Sequence, residues 1–429
     1  MPIPLTPPPF ALSLSKGGQA VRSSFDKLRT NGRKVAMNKE GWQISTLGEA
    51  CEVMNGGTPK TGVPEYWDGS HLWITPAEMG GRLSPYVSDT ERKITDSGLR
   101  DSSARMLPPN SVILSPRAPI GHLVINTEPM GTNQGCKGLI PRSQLQYKFL
   151  YYYLSSIVGL LNSLGTGATF KELSGGKLKE VTIPVPPLRE QQQIVVLLDE
   201  AFAGIATAKA NAERNLQNAR ALFESHLESV FTQPVLGWVE KKLREVCAIT
   251  STLVDPRKEA FLDLIHVGAG NIESRTGVFV KLKTAREEGL ISGKFLFNKS
   301  MVLYSKIRPY LMKVACPDFN GLCSADMYPL APLPNHIRRD YLFYLLVSKH
   351  FTEYAIQGSA RAGMPKVNRE HLFAYRLWLP PLKQQSEHAA RLDALQEETQ
   401  RLEAIYQRKL AALDELKKSL LHQAFSGSL

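Results

Sequence analysis

Basic, amide and hydroxyl side chains lie in two Gly- and Pro-punctuated parts of the sequence, one in each half of the chain. Lys and Arg can donate hydrogen bonds to phosphates and guanine edges, whereas Asn and Gln suit adenine edges. The residues that we favour on this basis as contacts to a nucleic acid are Lys60, Arg117, Asn133, Gln134, Lys137, Thr169, Lys171 and Lys177 in the first half, and Lys306, Arg308, Arg361, Lys366, Asn368 and Arg369 in the second. Those of the first half are predicted to lie in loops, and the loops 165–179 and 358–369 are favoured most because they combine flexibility and positive charge with small residues. For any single residue, an ordinary charged surface is the alternative.

The composition favours the same class of partner. The 429-residue chain has 52 Lys and Arg against 40 Asp and Glu, a net charge of +12. Phosphate neutralisation supplies most of the non-specific affinity of proteins for nucleic acids. A generally basic surface without such a partner is the alternative. With 43% hydrophobic residues, the chain is expected to be globular and to divide into several domains.

Other classes of protein are disfavoured by the composition. No stretch approaches about 18 consecutive apolar residues, so we expect no membrane partner. Five cysteines are too few for a disulfide framework, and none forms a CxxC pair. We therefore expect a cytoplasmic protein without a metal site.

Motifs of catalysis are missing from the sequence. There is no GxxxxGK[ST] phosphate loop, no HExxH, no GxSxG and no [ND]PP[YF] tetrapeptide of amino-methyltransferases. The short pieces Gly165-Thr166-Gly167 and Gly268-Ala269-Gly270 are interpreted as loops. We predict no catalytic residue and no cofactor bound by this chain, so that it binds and positions while another protein does chemistry.

The sequence is an internal repeat. The matched pairs are Trp42 and Trp238, Leu47 and Leu243, Glu49 and Glu245, and Cys51 and Cys247 at an offset of 196, then Pro186 and Pro380, Gln191 and Gln385, Asp199 and Asp393, and Phe231 and Phe425 at an offset of 194. Between these ends Ser115 matches Ser305 at an offset of 190, so insertions and deletions lie inside the repeat. Each repeat is a variable part followed by a more similar helical part.

Each repeat is predicted to end in a long helix. Residues 190–231 and 384–425 span 42 residues each, and their apolar positions follow alternating steps of three and four. Each helix would be about 60 Å long. We interpret the two as burying their apolar seams against each other, and an intermolecular coil is the alternative. An antiparallel pair would give the chain a pseudo-two-fold axis, which suits a DNA duplex carrying two different half-sites.

The predicted fold class is α+β, with two globular mixed α/β parts joined by two long antiparallel coiled-coil helices in a pseudo-two-fold repeat. The predicted boundaries are 37–187 for the first globular part, 188–233 for the central helix, 234–381 for the second globular part and 382–429 for the C-terminal helix. A short aromatic helix in each globular part, 148–161 or 340–351, is predicted to pack in the core rather than to stack on bases.

Residues 1–36 differ from the rest of the chain. Proline clusters and the lack of any persistent apolar period predict no regular structure. We interpret them as a disordered or mistakenly translated extension, with Met37 as the native initiator. This segment has six Lys and Arg against one Asp, so residues 37–429 carry +7 of the net +12. The duplicated architecture therefore supports a nucleic-acid partner more strongly than the charge does.

Several short motifs occur in a fixed order along the repeats: Gly56-Gly57-Thr58-Pro59-Lys60, Tyr66-Trp67-Asp68-Gly69, Trp73-Ile74-Thr75-Pro76, residues 183–191, residues 379–385 and the ending 420–425. Together they resemble the motifs of one family, the specificity (HsdS) subunits of type I restriction–modification enzymes. The resemblance covers residues 42–429. The second repeat departs from the Gly-Gly-Thr-Pro pattern and has Ser251-Thr252-Leu253-Val254-Asp255 instead, which indicates a different subtype of recognition domain.

The resemblance implies two target recognition domains, each reading one half of a bipartite and asymmetric site in double-stranded DNA. It implies that the helices act as a spacer and dock two modification subunits, which would bind S-adenosylmethionine and methylate adenine. Base flipping explains why a methyltransferase must be held beside the reader. Restriction subunits would add ATP- and Mg-dependent translocation and cleavage. A stand-alone DNA-modifying enzyme and a coiled-coil assembly protein without a DNA role remain the alternatives.

Overall fold

The computed structural model describes residues 41–82, 84–117, 119–167, 171–359 and 364–429. The chain forms two compact units: the first ends at Ala201 and includes Lys418–Leu429, and the second comprises Phe202–Lys417. The predicted N-terminal extension, 1–36, lies outside the described residues, as do the candidate contacts Thr169 and Arg361. None of the helices in the described part of the chain has the length and apolar character needed to cross a membrane.

The first unit is built on two sheets and a short two-stranded ribbon. Its strands are β1 (Gln43–Thr46), β2 (Cys51–Asn55), β3 (Trp67–Ile74), β4 (Tyr86–Val87), β5 (Arg92–Ile94), β6 (Met106–Leu107), β7 (Val112–Pro116), β8 (Ile120–Asn126), β9 (Met130–Thr132), β10 (Lys137–Pro141) and β11 (Thr182–Val185). The sheet orders are β2-β10-β7-β8-β4, β5-β3-β9-β6 and β1-β11. The central strand β7 begins Val112-Ile113-Leu114, fully buried, as expected of a strand covered on both faces.

Short helices surround these sheets, and a long helix follows them. They are α1 (Leu47–Ala50), α2 (Pro76–Gly80), α3 (Asp96–Arg100), α4 (Tyr147–Ser156), α5 (Val158–Leu164), α6 (Gly175–Glu180) and α7 (Leu188–Thr232). Thr46 and Thr75 cap α1 and α2 by accepting hydrogen bonds from backbone N–H groups of the first turn. The core between the sheets includes Ile74, Ile113 and Met130.

The second unit has a similar arrangement of strands and helices, but the strands at the edges of its sheets differ. Its strands are β12 (Val239–Lys242), β13 (Cys247–Ala248), β14 (Leu253–Val254), β15 (Ile265–Val267), β16 (Lys283–Thr284), β17 (Lys294–Phe297), β18 (Val302–Ser305), β19 (Val314–Ala315), β20 (Gly321–Cys323), β21 (Met327–Pro332) and β22 (Arg376–Leu379). Its helices are α8 (Glu259–Leu262), α9 (Ala285–Glu288), α10 (Arg339–Val347), α11 (Lys349–Gln357), α12 (Arg369–Ala374) and α13 (Leu382–Phe425). The sheet orders are β13-β21-β18-β19, β14-β17-β20-β15-β16 and β12-β22.

The pairing of strands shows that the two units are structural repeats. In both, the last long strand (β10 or β21) lies between the first strand of its sheet and the central strand β7 or β18. In both, the other sheet contains one parallel pair, β3 with β9 and β15 with β20. The prediction of two mixed α/β parts in an internal repeat is confirmed.

A buried glutamine fastens each long helix to its own globular part. Gln191 Oε1 accepts the backbone N–H of Gln146 at 2.8 Å, while Gln191 Nε2 donates to the carbonyls of Gln144 and Pro186, both at 2.8 Å. Gln385 makes the same three bonds to Arg338, His336 and Pro380, at 2.8, 3.0 and 2.9 Å. This clamp explains why Gln follows the Pro-Pro-Leu motif in both repeats.

The long helices run antiparallel where they pair in the second unit. Arg220 Nε on α7 lies 2.7 Å from Glu403 Oε1 on α13, and Lys209 forms an ion pair with Asp414. The residue number rises on one helix as it falls on the other, which confirms the predicted antiparallel pair. Each carboxylate–cation pair is partly exposed, so it specifies register more than it adds stability.

The predicted seam of α7 is correct only in part. Ile205, Ala212 and Ala219 are buried at steps of seven, as in a coiled coil. Leu197 and Leu222, which the alternating pattern also places in the seam, are 51% and 62% exposed. The apolar positions predicted from the sequence therefore include side chains that lie outside the buried seam of the helix.

The short aromatic helices are each divided in two. Residues 148–161 were predicted as one helix, but α4 ends at Ser156 and α5 begins at Val158. In the second unit, Ser348 ends α10 and caps α11 by accepting the N–H of Phe351. The aromatic side chains Phe149, Tyr341 and Phe351 are fully buried, so the prediction that they belong to the core is confirmed.

Candidate nucleic-acid interface

The Gly56–Lys60 motif of the first unit is a loop held against the turn that precedes β10. Thr58 Oγ1 accepts a hydrogen bond from Asn133 Nδ2 at 3.1 Å and donates one to Gln134 Oε1. A Cβ on Gly56 would lie 1.9 Å from the Asn133 carbonyl oxygen, so only glycine permits this approach. The motif therefore brings exposed Lys60 and exposed Gln134 into one surface.

Two tryptophans from the neighbouring sequence motifs donate hydrogen bonds to the backbone of this loop. Trp67 Nε1 donates to the carbonyl of Lys60 at 3.3 Å, and Trp73 Nε1 donates to that of Gly57 at 2.9 Å. The two indole rings meet edge to face with centroids 5.1 Å apart, and the guanidinium of Arg92 lies 3.7 Å from the Trp67 ring centroid. The aromatic motifs are positioning elements rather than stacking platforms.

Arg117 and Lys171 join the same surface. Arg117 follows β7 and forms an isolated bridge with Glu172, which places Lys171 beside it. Arg117 Nε lies 2.7 Å from the point where a Cβ on Gly135 would stand, so the guanidinium covers the turn before β10. Lys171 is exposed.

Three candidates of the first unit are engaged in holding the fold. Lys137 was predicted in a loop, but it lies in β10, is 9% exposed and donates to Asn55 Oδ1 at 2.8 Å. Lys177 was also predicted in a loop, but it lies in α6 and its Nζ donates to the Leu164 carbonyl at 3.2 Å. Asn133 uses both amide atoms, since its Oδ1 accepts the N–H of Gly135 at 2.7 Å. The loop predictions for Lys137 and Lys177 are wrong because ladder and helix bonds outweigh local Gly content there.

The candidates of the second unit lie on two segments that pair with each other. Ile307 forms a bridge with Lys366, and the Arg308 N–H donates to the Pro365 carbonyl at 2.9 Å. Arg308 is exposed and holds a left-handed backbone with φ of 49°. The structure therefore brings the segments that contain Lys306, Arg308 and Lys366 together, as required for a shared surface.

Lys306 is an anchor within this surface. Its side chain is 13% exposed, its Nζ donates to the Ala325 carbonyl, and it lies 5.1 Å from the ring centroid of Tyr328. Burial lowers the pKa of Lys306, and the positive charge of Lys366 lowers it further, whereas the carboxylate of Asp326 opposes the shift. Lys306 holds the neighbouring turn in place.

Lys366 and Arg369 reach the same turn from the other segment. Lys366 Nζ lies 3.2 Å from Asp326 Oδ1, and the guanidinium of Arg369 lies 5.8 Å from the ring centroid of Tyr328. Arg369 was predicted in a loop, but it is the first residue of α12, which Asn368 caps by accepting the His371 N–H at 2.7 Å. Asn368 therefore acts as a cap in the described contacts, and the two cations remain available at the surface.

The same turn is built in both units. The N–H of Cys136 donates to the Asn133 carbonyl at 2.9 Å, as that of Met327 donates to Ser324 at 2.8 Å. The side chain of Asn133 or Ser324 then accepts the N–H two residues later. We call residues 133–136 and 324–327 the first and second turn.

The register of the sheets fixes which residues of the two turns correspond. Lys137 pairs with Leu114 in β7, and Tyr328 pairs with Tyr304 in β18. Leu114 and Tyr304 each directly precede the matched serines 115 and 305. Lys137 therefore corresponds to Tyr328, so that Gln134 corresponds to Ala325 and Gly135 to Asp326.

The sequence pattern does not point to Asp326 or Tyr328. An acidic residue carries no signal for contact with a polyanion, and Tyr328 lies in a strand of core-like composition. The only available signal was the repeat itself, but its offset changes from 190 to 194 inside this region, so the correspondence becomes visible only through the strand pairing.

Comparison with known proteins identifies the family. The family model described as the type I restriction modification DNA specificity domain matches residues 39–215 and again residues 236–409. The chain belongs to this family. The two matches fall on the two repeats, and each ends within the long helix that follows its globular part.

Curated relatives carry the same designation. The chain is 32% identical over 289 residues to the Type I restriction enzyme MjaIX specificity subunit of Methanocaldococcus jannaschii, and this match spans 64% of the chain and 63% of that protein. It is 29% identical over 318 residues to the EcoDI specificity subunit of Escherichia coli, which spans 66% of the chain and 70% of that protein. Both relatives are named as specificity subunits of type I restriction enzymes.

Solved structures share the fold over nearly the whole length. One matching chain comes from a structure that describes complex assembly and conformational transition of the type I R-M system. The match covers 91% of this chain and 99% of that chain, with a TM-score of 0.73 and 18% identity. The HsdS subunit from Thermoanaerobacter tengcongensis matches 91% of this chain with a TM-score of 0.60 and 19% identity, over 97% of its length. The predicted fold class is confirmed by both.

Proposed function

We propose that this chain is the DNA-reading subunit of a type I restriction–modification complex, and that each globular part reads one half of a bipartite site. The observation that carries the proposal is the duplicated turn. The same backbone is built twice beside a group of basic residues, yet it presents Gln134 in the first unit and Asp326 in the second. Equal scaffolds with unequal polar side chains are what an asymmetric, two-part target requires.

The surfaces around the two turns also fit DNA. Lys60, Arg117 and Lys171 surround the first turn, and Lys366 and Arg369 lie beside the second. Positive side chains bind phosphates and fix the orientation of a protein on the duplex, while a turn with polar tips can reach base edges in a groove. We assign Lys60, Lys171 and Lys366 to phosphate contacts and Gln134 to base contact.

The helices supply a surface for partner subunits. On the paired helices of the second unit, Leu222, Ile405 and Leu416 are 62%, 37% and 46% exposed. A contiguous exposed apolar patch marks a site of protein contact, and we infer that these side chains belong to such a patch. We assign this face to two modification subunits, which bind S-adenosylmethionine and methylate adenine, with restriction subunits adding the ATP- and Mg-dependent steps.

The test is to map methylated adenines in cells that express the chain together with its neighbouring methyltransferase. We expect a bipartite, asymmetric motif that disappears when the gene for this chain is deleted. The purified chain alone should bind duplex DNA with an affinity that falls as salt rises, because phosphate contacts release counterions.

Two results would contradict the proposal. Methylation or cleavage by the purified chain without partners would show a stand-alone enzyme. Absence of salt-sensitive duplex binding, combined with an unchanged methylation pattern after deletion, would show an assembly protein without a role in DNA recognition.

A further inference from the structure

We propose that Asp326 determines specificity in the second unit by accepting a hydrogen bond from the exocyclic amino group of a cytosine in the DNA groove. This inference rests on the proposed function and adds the chemistry of one base contact to it. The Asp326 carboxylate lies among three cations, Lys306, Lys366 and Arg369, which is unexpected for a surface that binds a polyanion.

The charges around Asp326 decide where it can point. Lys306, Lys366 and Arg369 all lie near the second turn, so the local surface is net positive and can approach a polyanion. The carboxylate itself is repelled by phosphates. It is compatible with bound DNA if it faces base edges, where cytosine N4 and adenine N6 are hydrogen-bond donors.

The ion pairs with the two lysines involve only one of the two oxygens of the Asp326 carboxylate. Lys366 Nζ lies 3.2 Å from Asp326 Oδ1, and Lys306 Nζ lies 3.9 Å from the same atom. Within the described part of the chain, Oδ2 has no hydrogen-bond or ion-pair partner, and the side chain is 46% exposed. Among those residues, one oxygen therefore binds the protein and the other has no partner and can accept a hydrogen bond from a ligand.

The backbone holds this side chain in place before any ligand binds. The Asp326 N–H donates to Ser324 Oγ at 3.2 Å, and its carbonyl accepts the N–H of Lys306 at 3.0 Å. Lys306 also donates from its Nζ to the Ala325 carbonyl. A group fixed in this way loses little entropy when it binds, which favours discrimination between bases.

The identity of the base follows from the chemistry of an acceptor. A carboxylate only accepts hydrogen bonds, and cytosine presents an amino donor in the major groove, whereas guanine presents two acceptors at the same place. Adenine presents a donor beside an acceptor, which suits an amide. The carboxylate therefore selects cytosine, and the isosteric amide should select adenine.

The experiment compares variants of the full chain assembled with its methyltransferase. Asp326→Asn removes the charge at constant shape, and Asp326→Glu keeps the acceptor. Asp318→Asn, an exposed aspartate of the same unit, controls for loss of one negative charge. Methylated motifs are mapped in cells, and binding is measured to duplexes carrying each of the four bases at every position of both half-sites.

We expect Asp326→Asn to lower the preference for cytosine at one position of one half-site by about 5- to 150-fold and to raise the preference for adenine there. The other half-site and the Asp318→Asn motif should not change, and Asp326→Glu should retain cytosine. An unchanged preference at every position in Asp326→Asn overturns the inference, including the case in which affinity falls equally for all four bases, since Asp326 then only holds Lys366. A wild-type complex without any bipartite motif would instead overturn the proposed function together with this inference.

Discussion

The two repeats differ little where they hold the chain together and strongly where they face the solvent. Both use the glutamine clamp, the same turn and a capped helix before the last short strand. In both, a phenylalanine near the end of a long helix packs on an aromatic residue, Phe425 on Phe149 in the first unit and Phe231 on Tyr341 in the second. Shared residues mark the scaffold.

The differences lie in the residues that the scaffold presents. Gln134 and Gly135 of the first turn are replaced by Ala325 and Asp326, and beneath the turn the buried strand residue Lys137 is replaced by buried Tyr328. The Gly56–Lys60 loop with its two tryptophans has no counterpart of that sequence in the second repeat. A duplicated protein that keeps its core contacts and changes its exposed turns has diverged in what it binds rather than in how it folds.

The strongest test of the shared scaffold is removal of the two clamps. Gln191→Ala and Gln385→Ala each remove three hydrogen bonds to backbone groups, made by glutamine side chains that are 0% and 1% exposed. We expect each variant to lose about 2–4 kcal/mol of stability in its own unit. Chemical denaturation and hydrogen exchange of the amides of residues 146 and 338 measure it.

Gln192→Ala is the matched control, since Gln192 is exposed on the same turn of α7 and should change stability little. The comparison of the repeats requires effects of similar size from the two clamps. A large effect from one clamp and none from the other would show that the repeated motif has lost its role in one unit.

A second repeated bond should give a smaller and again equal effect. Tyr152 Oη donates to Asp199 Oδ1, and Tyr344 Oη donates to Asp393 Oδ1 at 2.6 Å, so each ties a short helix to the start of a long one. Burial raises the pKa of both tyrosines, and the adjacent carboxylates raise it further, so both hydroxyls stay protonated donors at neutral pH. Tyr152→Phe and Tyr344→Phe should each cost about 1.5–3 kcal/mol by denaturation.

The scaffold was predictable from the sequence because its residues recur at fixed offsets. Pro-Pro-Leu with Gln191 or Gln385, and the aspartates 199 and 393, recur at an offset of 194, and their side chains make equivalent contacts in the two repeats. The long helices were predicted from the same segments, although the exposure of Leu197 and Leu222 shows that an apolar pattern overestimates the seam.

The candidate interface was less predictable, for a physical reason. Residue type identifies what can bind DNA but not whether a side chain is already engaged, and Lys137, Lys177 and Lys306 all hold other parts of the chain. The correspondence of Gly135 with Asp326 depends on strand register, a long-range property that loose sequence similarity does not preserve.

Exchange of the turns tests the divergent part of the comparison. Ala325→Gln combined with Asp326→Gly places the corresponding residues of the first turn, Gln134 and Gly135, on the second scaffold. We expect the half-site read by the second unit to change at one or two bases, with about 1–3 kcal/mol of discrimination lost against the original site. Methylation mapping of the assembled complex measures this change, and an altered first half-site would contradict the assignment of one half-site to each unit.

The smallest effects should come from the exposed lysines that flank the turns, and they separate positioning from base reading. Lys171→Ala removes an exposed cation from the first unit, and Lys366→Ala removes a half-exposed cation, which also pairs with Asp326, from the second. If each lysine neutralises one phosphate, affinity should fall modestly and equally for all sequences. The negative slope of log K against log salt should become less steep by about 0.9. Lys409→Ala, exposed on α13, is the control and should leave the slope unchanged. A change in base preference at one half-site, with an unchanged slope, would move that lysine from the phosphate contacts to the base contacts, and the two units would then differ in which side chains do the reading as well as in their turns.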